Sequence, residues 1–282
     1  MNINELNQRI DEIDRIGNEA WMSNLEDRKL KELEFHNKDR DKDNVNESIA
    51  EDTYEKFYGN KKYYSVTNRS YGYVEDWIKL RCKNGGVFLD YACGNGNNAR
   101  TAAKAGADLA LGLDISDVSI KNCRETAKEE GITNIRYFQA DAENTKLPDN
   151  SVDTLLCSGM LHHLDLSYSF PEIRRILKPG GKLLAVEALD YNPLIKLYRV
   201  FTPAMRTEWE KAHILSLKDV DFGKRFFELG DVNYWHVVGY AAGKFPFLRA
   251  PLETLDKALE KIPYVQRMAW IFTFEFVKPH TK

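Results

Sequence analysis

The sequence has few cysteines, no long apolar run and no strong excess of charge of either sign. No apolar run approaches the ~18 residues that a membrane-spanning helix requires, so no transmembrane segment is expected. The four cysteines show neither a CxxC pair nor another metal-ligand spacing, and we interpret them as reduced, buried thiols. The first residues, MNINELNQRIDEID, are polar and acidic, unlike a secretion signal. These absences predict a cytoplasmic protein.

The formal net charge of −3 excludes a basic field over the whole surface. No nucleic-acid partner is therefore expected, because binding to a phosphate backbone depends on clustered Lys and Arg. The 282 residues are 43% hydrophobic and 29% charged, which is ordinary for a globular protein. This length is enough for one large domain with additions or for two small domains.

Short apolar segments alternate with helical patterns through the middle of the chain. Strands that are apolar throughout predict a parallel sheet covered by helices on both faces. The predicted strands are residues 87–89, 109–113, 135–138, 152–157, 182–187, 226–229 and 270–277. The predicted fold class is α/β, with a doubly wound, mostly parallel seven-stranded sheet. Ligands bind such sheets at the carboxyl ends of the strands, where Asp90, Asp114, Asp141 and Ser158 fall.

Four parts are expected along the chain. Residues 1–70 form an N-terminal helical segment or lid. Within it, the charged stretch over 26–47 has two interpretations: a solvated helix or mobile segment, and a lid or dimer arm. Residues 71–190 form the core, 191–267 a helical cap that includes the sixth strand, and 268–282 the last strand of the sheet. Helices in the cap are predicted at 192–217 (interrupted at Pro203), 234–244 and 252–261.

A glycine turn, DYACGNGNNA over 90–99, lies between the first strand and the next helix. Gly94 and Gly96 allow a tight turn and close approach of a ligand. The spacing to Asp114 fits a nicotinamide dinucleotide and S-adenosyl-L-methionine (SAM) equally, since a carboxylate there accepts hydrogen bonds from either ribose. Asp90 favours SAM, because a carboxylate repels a pyrophosphate and attracts an ammonium or a sulfonium. The alternative is that Asp90 caps the following turn.

Four segments in register resemble the class I SAM-dependent methyltransferases, in their type 11-like group. VFLDYACGNGNNA resembles the first motif, usually D-x-G-x-G-x-G, with Ala92 where the first glycine is usual. LGLDIS, QADAENTKLPDNSVDTLLCSGMLHHL and LKPGGKLLAVE resemble the later motifs. The resemblance covers about a third of the chain, residues 87–187. It implies a Rossmann-like methyltransferase fold, with N-terminal helices and a helical cap, and SAM as the cofactor.

The resemblance also assigns roles to individual residues. Asp114 would bind the ribose hydroxyls, while Asp141 and Ala142 would bind the adenine by side chain and by backbone. Ile115 would pack on the adenine face or belong to the core, and Ser158 would lie near the methionine part or the methyl group. The expected cofactor-binding residues are therefore Asp90, Ala92, Gly94, Gly96, Asp114, Ile115, Asp141, Ala142 and Ser158.

Two histidines after the fourth strand, His162 and His163, are the candidate catalytic residues. Either is suited to act as a general base near neutral pH. The alternative is that both hold the loop through backbone hydrogen bonds. No metal is expected, because Gly159 and His162 stand where metal-binding relatives would require carboxylates.

The expected acceptor is a small organic molecule, such as a natural-product, sugar or lipid precursor. Candidate pocket residues are Tyr63, Tyr64, Arg69, Tyr73, Tyr198, Phe201, Tyr234, Trp235, His236 and Tyr240. The mixed apolar and basic residues 192–206 either pack on the core or rest on a membrane surface or a lipid-linked substrate. The chain is expected to be a monomer or a homodimer. Alternative functions are an NAD-dependent oxidoreductase and a SAM-binding protein without catalysis.

Overall fold

A seven-stranded sheet forms the centre of the protein, and the computed structural model describes residues 2–16, 18–40, 66–202 and 207–280. The strands are β1 (Val87–Tyr91), β2 (Leu109–Asp114), β3 (Ile135–Gln139), β4 (Val152–Ser158), β5 (Leu177–Ala188), β6 (Glu228–Trp235) and β7 (Ile271–Val277). Their order across the sheet is β3-β2-β1-β4-β5-β7-β6. Strand β7 is antiparallel to both of its neighbours, β5 and β6, and the other pairs of neighbouring strands are parallel. The predicted doubly wound, mostly parallel sheet is confirmed.

Helices cover both faces of the sheet. In chain order they are α1 (Ile3–Asp14), α2 (Asn18–Met22), α3 (Asp27–Arg40), α4 (Asn68–Cys82), α5 (Asn97–Lys104), α6 (Asp117–Glu129), α7 (Leu166–Ile176), α8 (Pro193–Phe201), α9 (Glu208–Ala212), α10 (Leu217–Gly223) and α11 (Arg249–Leu259). A short 3-10 turn, Leu161–His163, follows β4. No helix in the described part of the chain is both long and apolar enough to cross a bilayer.

Alternate residues of β1 belong to two separate hydrophobic cores. Leu89 and Tyr91 pack with α1, α7 and α10 on one face, and Phe88 packs with α4, α5 and α6 on the other. This follows from strand geometry, in which successive side chains point to opposite faces. Burial on both faces explains why the core strands are apolar throughout.

The sixth strand begins and ends later than predicted. Residues 234 and 235, predicted as the start of a helix, belong to β6. Val232 and Tyr234 pack against one core and Trp235 against the other, which is a strand pattern. An irregular register between Leu229 and Val232 interrupts the pairing with β7 and hides this alternation in the sequence. The predicted helix over 234–244 is reduced to a 3-10 turn at Gly239–Gly243.

Candidate functional site

The glycine turn between β1 and α5 depends on left-handed backbone conformations. Gly94 has φ 53° and Gly96 has φ 67°. A Cβ added to Gly96 would lie 2.6 Å from the Tyr137 hydroxyl oxygen, so packing also requires glycine there. Ala92 has φ 58°, a conformation that favours glycine. The turn therefore keeps its shape despite the alanine, at some cost in backbone strain.

Asp90 is buried at the end of β1, and its carboxylate points towards the first turn of α5. It accepts hydrogen bonds from the Ala99 amide at 3.2 Å and the Asn98 side chain at 3.4 Å. Burial raises the pKa of this carboxyl from 3.8 to about 7, with a further contribution from the charge of Asp114. These contacts resemble the capping alternative, and a direct role of Asp90 towards the cofactor stays a prediction.

Asp114, at the end of β2, connects two loops. One carboxylate oxygen accepts a hydrogen bond from the Gly94 amide at 2.8 Å, and the other accepts one from the Ser116 amide at 2.9 Å. The carboxylate is thereby fixed beside the glycine turn. This is the position at which the resemblance places the ribose, and that role also stays a prediction.

Four of the predicted cofactor-binding residues line one small cavity of about 30 Å³. These are Ala92, Ile115, Asp141 and Ala142, and the Tyr91 hydroxyl holds this wall by donating to the Ala142 carbonyl. The opposite wall is α3, which contributes the side chains of Arg28, Lys29, Glu32 and His36. The predicted adenine-binding residues therefore converge on one cavity, which helix α3 covers.

Helix α3 is held over this cavity by ion pairs. The Lys29 ammonium lies 2.7 Å from the Asp141 carboxylate and 2.9 Å from that of Glu143. Arg28 donates to both Glu143 oxygens, at 2.7 and 2.8 Å, and to the His163 carbonyl at 3.1 Å. Burial alone would lower the pKa of Lys29, but these carboxylates raise it above its ordinary value. Within the charged stretch, residues 27–37 therefore form a helix that covers this cavity.

A second cavity, of about 320 Å³, lies beside the first and shares His36 and His163 with it. Ser158 and Gly159, at the end of β4, form part of its wall together with both candidate histidines. Its other lining residues are Phe35, Ser70, Tyr71, Val186, Glu187, Ala188, Glu210, Trp270 and Ile271. The cavity therefore combines aromatic and aliphatic walls with a cluster of titratable groups.

The two candidate histidines bind different carboxylates. His162 Nδ1 lies 2.6 Å from Glu187 Oε2, and its Nε2 lies 3.8 Å from Glu210 Oε1. Glu187 is buried, and its other oxygen accepts hydrogen bonds from the Met160 and Leu161 amides at 2.9 and 2.7 Å. Glu187 therefore fixes the orientation of the His162 ring.

His163 instead contacts the covering helix. Its Nδ1 lies 2.9 Å from Glu32 Oε2, and the His162 and His163 rings are 4.3 Å apart. The side chains of His162 and His163 therefore contact the carboxylates of Glu187 and Glu32. The alternative interpretation invoked only backbone hydrogen bonds of these residues.

Four residues of this cluster are not predicted from the sequence: Glu32, His36, Glu187 and Glu210. Glu187 ends the predicted fifth strand, so its strand-end position was the available signal. Glu32 and His36 have the i, i+4 spacing of one helix face, but they lie in a stretch dominated by charge. Nothing in the sequence marks Glu210.

None of the predicted acceptor residues that the structure describes lines the second cavity. The insert between β6 and β7 packs on the start of α4 instead: Arg69 forms a bidentate pair with Glu260, at 2.8 and 2.6 Å, and His236 Nε2 lies 3.0 Å from Ser70 Oγ. Burial lowers the pKa of His236 to about 4. Phe201 is mostly exposed. Tyr63 and Tyr64 lie outside the described residues.

Comparisons with known proteins identify similar sequences and folds. A methyltransferase domain family model matches residues 89–185. The ubiquinone/menaquinone biosynthesis C-methyltransferase UbiE of Idiomarina loihiensis is 33% identical over 135 residues, which cover 44% of this chain and 54% of the relative. The chain thus spans about half the length of this curated relative.

Two solved structures share the fold. The [4+2]-cyclase SpnF has a TM-score of 0.52 and 22% identity, over 73% of this chain and 80% of that one. A geranyl diphosphate methyltransferase, solved with GPP and sinefungin, has a TM-score of 0.52 and 15% identity, over 73% of this chain and 76% of that one. At these identities the likeness concerns the fold alone.

Proposed function

Residues 89–185 form a class I, SAM-dependent methyltransferase domain, and from this premise we propose that the protein transfers a methyl group from SAM to a small organic acceptor. The observation that carries the proposal is the convergence of Ala92, Ile115, Asp141 and Ala142 on one cavity. This cavity adjoins a larger one that has room for an acceptor.

In this proposal SAM extends from the covered cavity into the larger one. The adenine lies against Ile115, Asp141 and Ala142, and the ribose lies beside Asp114. The sulfonium then faces Ser158, at the wall of the larger cavity. A cavity of about 30 Å³ is no larger than one water molecule's share of liquid, so α3 moves when the adenine enters.

The charge of the larger cavity supports a cationic cofactor. Glu187 and Glu210 line it, and no Lys or Arg is among the described residues of its wall. Carboxylates in a partly desolvated site stabilise a nearby cation more strongly than they would in water. A sulfonium and its methyl group fit this environment.

The walls of the cavity indicate the class of acceptor. Tyr71, Trp270 and Ile271 supply mostly apolar surface, and the polar surface is concentrated in one cluster, His36, His162, His163, Glu187 and Glu210. Such a cavity fits a mainly apolar molecule with one hydroxyl or acidic C–H group better than it fits a sugar. The name of the similar C-methyltransferase, which refers to ubiquinone and menaquinone biosynthesis, agrees with an apolar acceptor.

The chemistry asked of the chain is alignment and proton removal. The acceptor atom forms a bond to the methyl carbon as the carbon–sulfur bond breaks, and the sulfonium becomes a neutral thioether. We assign His162 Nε2 as the atom that receives the acceptor's proton, because Nδ1 is bonded to Glu187. Helix α3 excludes water from the reacting groups.

Calorimetry with SAM and S-adenosylhomocysteine tests cofactor binding, with NADH as the competing ligand. We expect binding of both sulfur compounds and a loss of affinity of about tenfold in Asp114→Ala, which removes the proposed hydrogen bond to the ribose. Asp149→Ala is the matched control, since its side chain is 70% exposed. Binding of NADH alone would refute the assignment.

Transfer of a labelled methyl group to a panel of phenols, prenyl compounds and sugars tests the acceptor class. We expect product only with the apolar acceptors. Tight cofactor binding with no transfer to any of them would favour the alternative of a SAM-binding protein without catalysis.

A further inference from the structure

Three potential metal ligands meet where α3 covers the core. Glu32 and His36 are one helical turn apart on α3, and His163 comes from the turn after β4. His163 Nδ1 lies 2.9 Å from Glu32 Oε2, and His36 Nε2 lies 3.8 Å from the same oxygen. The three ligand atoms all lie within 4.8 Å of one another. Glu32 and His163 are buried, so this is not a chance grouping of surface side chains.

We propose that Glu32, His36 and His163 bind a divalent transition-metal ion of the Zn²⁺ type. Ligand atoms at ~2.0 Å from a tetrahedral Zn²⁺ stand about 3.3 Å from one another. The distances of 2.9 and 3.8 Å to Glu32 Oε2 lie on either side of that value. Two imidazoles and one carboxylate suit Zn²⁺ and its neighbours, whereas Mg²⁺ and Ca²⁺ require oxygen ligands.

Groups outside the triad hold its ligands in position. The Thr207 hydroxyl donates to Glu32 Oε1 at 2.6 Å, which leaves Oε2 directed towards the histidines. The His163 backbone is fixed by two hydrogen bonds: its N–H donates to the Met160 carbonyl at 3.0 Å, and its carbonyl accepts from Arg28 at 3.1 Å. Such outer contacts are typical of metal sites, because they set the orientation of each ligand.

The nearby cations of α3 do not compete with a metal at this place. The guanidinium of Arg28 is bound to Glu143, and the ammonium of Lys29 is bound to Asp141 and Glu143. The wall of the larger cavity adds the carboxylates of Glu187 and Glu210. The local charge therefore favours a divalent ion.

Three protein ligands leave a fourth tetrahedral position open, as in catalytic zinc sites. Glu32, His36 and His163 all line the small cavity, and His36 and His163 also line the larger one, so that position lies where the two cavities meet. If the proposed function holds, an ion held there once α3 has closed over the cofactor would stabilise an acceptor oxygen as an anion, with the oxygen's proton released to water. No metal was expected because Gly159 and His162, after β4, are not carboxylates. Two of the ligands proposed here, Glu32 and His36, come from α3 instead.

A second combination, His162, His163 and Glu210, shares one ligand with the triad. There, however, His162 Nδ1 is bonded to Glu187, and its Nε2 is 3.8 Å from Glu210. The Glu32 triad is therefore the better-ordered site.

The test uses the full chain, stripped with a chelator and titrated with Zn²⁺, Co²⁺ and Mg²⁺. Bound metal is measured by mass spectrometry, and Co²⁺ reports tetrahedral geometry through its visible absorption. We expect one Zn²⁺ per chain, a tetrahedral Co²⁺ spectrum and no binding of Mg²⁺. Glu32→Gln and His36→Ala should each weaken Zn²⁺ at least 100-fold, and Thr207→Val about tenfold. His280→Ala, an exposed histidine elsewhere, should change nothing.

Circular dichroism and binding of S-adenosylhomocysteine verify that each variant is folded. Equal Zn²⁺ binding in the wild type, Glu32→Gln and His36→Ala would overturn the site, as would loss of Zn²⁺ in Glu210→Gln with retention in His36→Ala. These readouts need no acceptor and no turnover. Failure of the metal site is therefore distinguishable from failure of the proposed methyl transfer, which is measured by cofactor binding and product formation.

Discussion

The buried carboxyl of Asp90 should make the protein less stable as the pH rises. Its pKa is 3.8 in the unfolded chain and about 7 in the folded one, so the folded state holds a proton that the unfolded state releases between these values. Each pH unit in that interval removes about 1.4 kcal/mol from the free energy of unfolding. The full loss is about 4 kcal/mol between pH 4 and pH 7, and no further loss follows above pH 7.

Asp90→Asn should remove this pH dependence. The amide has the same shape, and its oxygen still accepts the hydrogen bond from the Ala99 amide, but it has no proton to lose. The stability of the variant relative to the wild type should therefore increase by about 3 kcal/mol from pH 5 to pH 8. The increase comes from the two pH units between 5 and 7, since the wild type loses no further stability through Asp90 above pH 7.

Urea denaturation followed by circular dichroism at pH 5, 6, 7 and 8 measures this difference. Comparing variant with wild type cancels the other titrating groups, provided that the slope with urea is unchanged. Asp221→Asn is the matched control, because its side chain is 68% exposed and should show no such trend. Parallel stability curves for Asp90→Asn and the wild type would refute the reasoning.

Three further changes test the site and its supports. Glu187→Gln removes the charge that orients His162, so we expect kcat to fall about 100-fold while calorimetry shows unchanged affinity for S-adenosylhomocysteine. Lys29→Met removes the ammonium bound to Asp141. The affinity for S-adenosylhomocysteine should then increase about fivefold, because the adenine no longer displaces an ion pair worth about 1 kcal/mol. Gly96→Ala should lower the free energy of unfolding in urea by about 2–4 kcal/mol, through backbone strain and overpacking.

Each change has a control on the same chain. Glu228→Gln and Lys31→Met alter exposed side chains and should leave turnover and affinity as they are. Gly131 has the same φ of 67° as Gly96 but open space around it, so Gly131→Ala isolates the backbone strain. Equal destabilisation by Gly96→Ala and Gly131→Ala would contradict the role of packing at Gly96. An unchanged kcat in Glu187→Gln would contradict the orienting role of Glu187, and weaker cofactor binding in Lys29→Met would contradict displacement of its ion pair.

The core sheet was predictable because its strands are buried on both faces, and uniform apolarity is visible in a sequence. The strand-end positions of Asp114 and Asp141 followed from the same pattern. Helix α3 was not predictable in this way, since ion pairs to Asp141 and Glu143 hold it in place. Among the side chains of α3 that the structure describes, Leu33 is the only buried apolar one. Pairing between charges far apart in the chain leaves no periodic signal.

The acceptor region was harder for a second reason. The aromatic insert after β6 suggested a cap, but its groups bond to Arg69 and Ser70 at the start of α4. An aromatic-rich segment shows that apolar surface is buried, without showing which surface it covers. The irregular pairing at Leu229 further displaced the predicted boundary of β6.

Because helix α3 forms one wall of both cavities, the two ligands should exchange in a compulsory order. Withdrawing the helix to admit or release the nucleoside also removes Phe35 and His36 from the neighbouring chamber. The methyl donor then binds first, and the methylated product departs before the demethylated nucleoside. Steady-state inhibition by S-adenosylhomocysteine would accordingly be competitive against the donor and non-competitive against the acceptor.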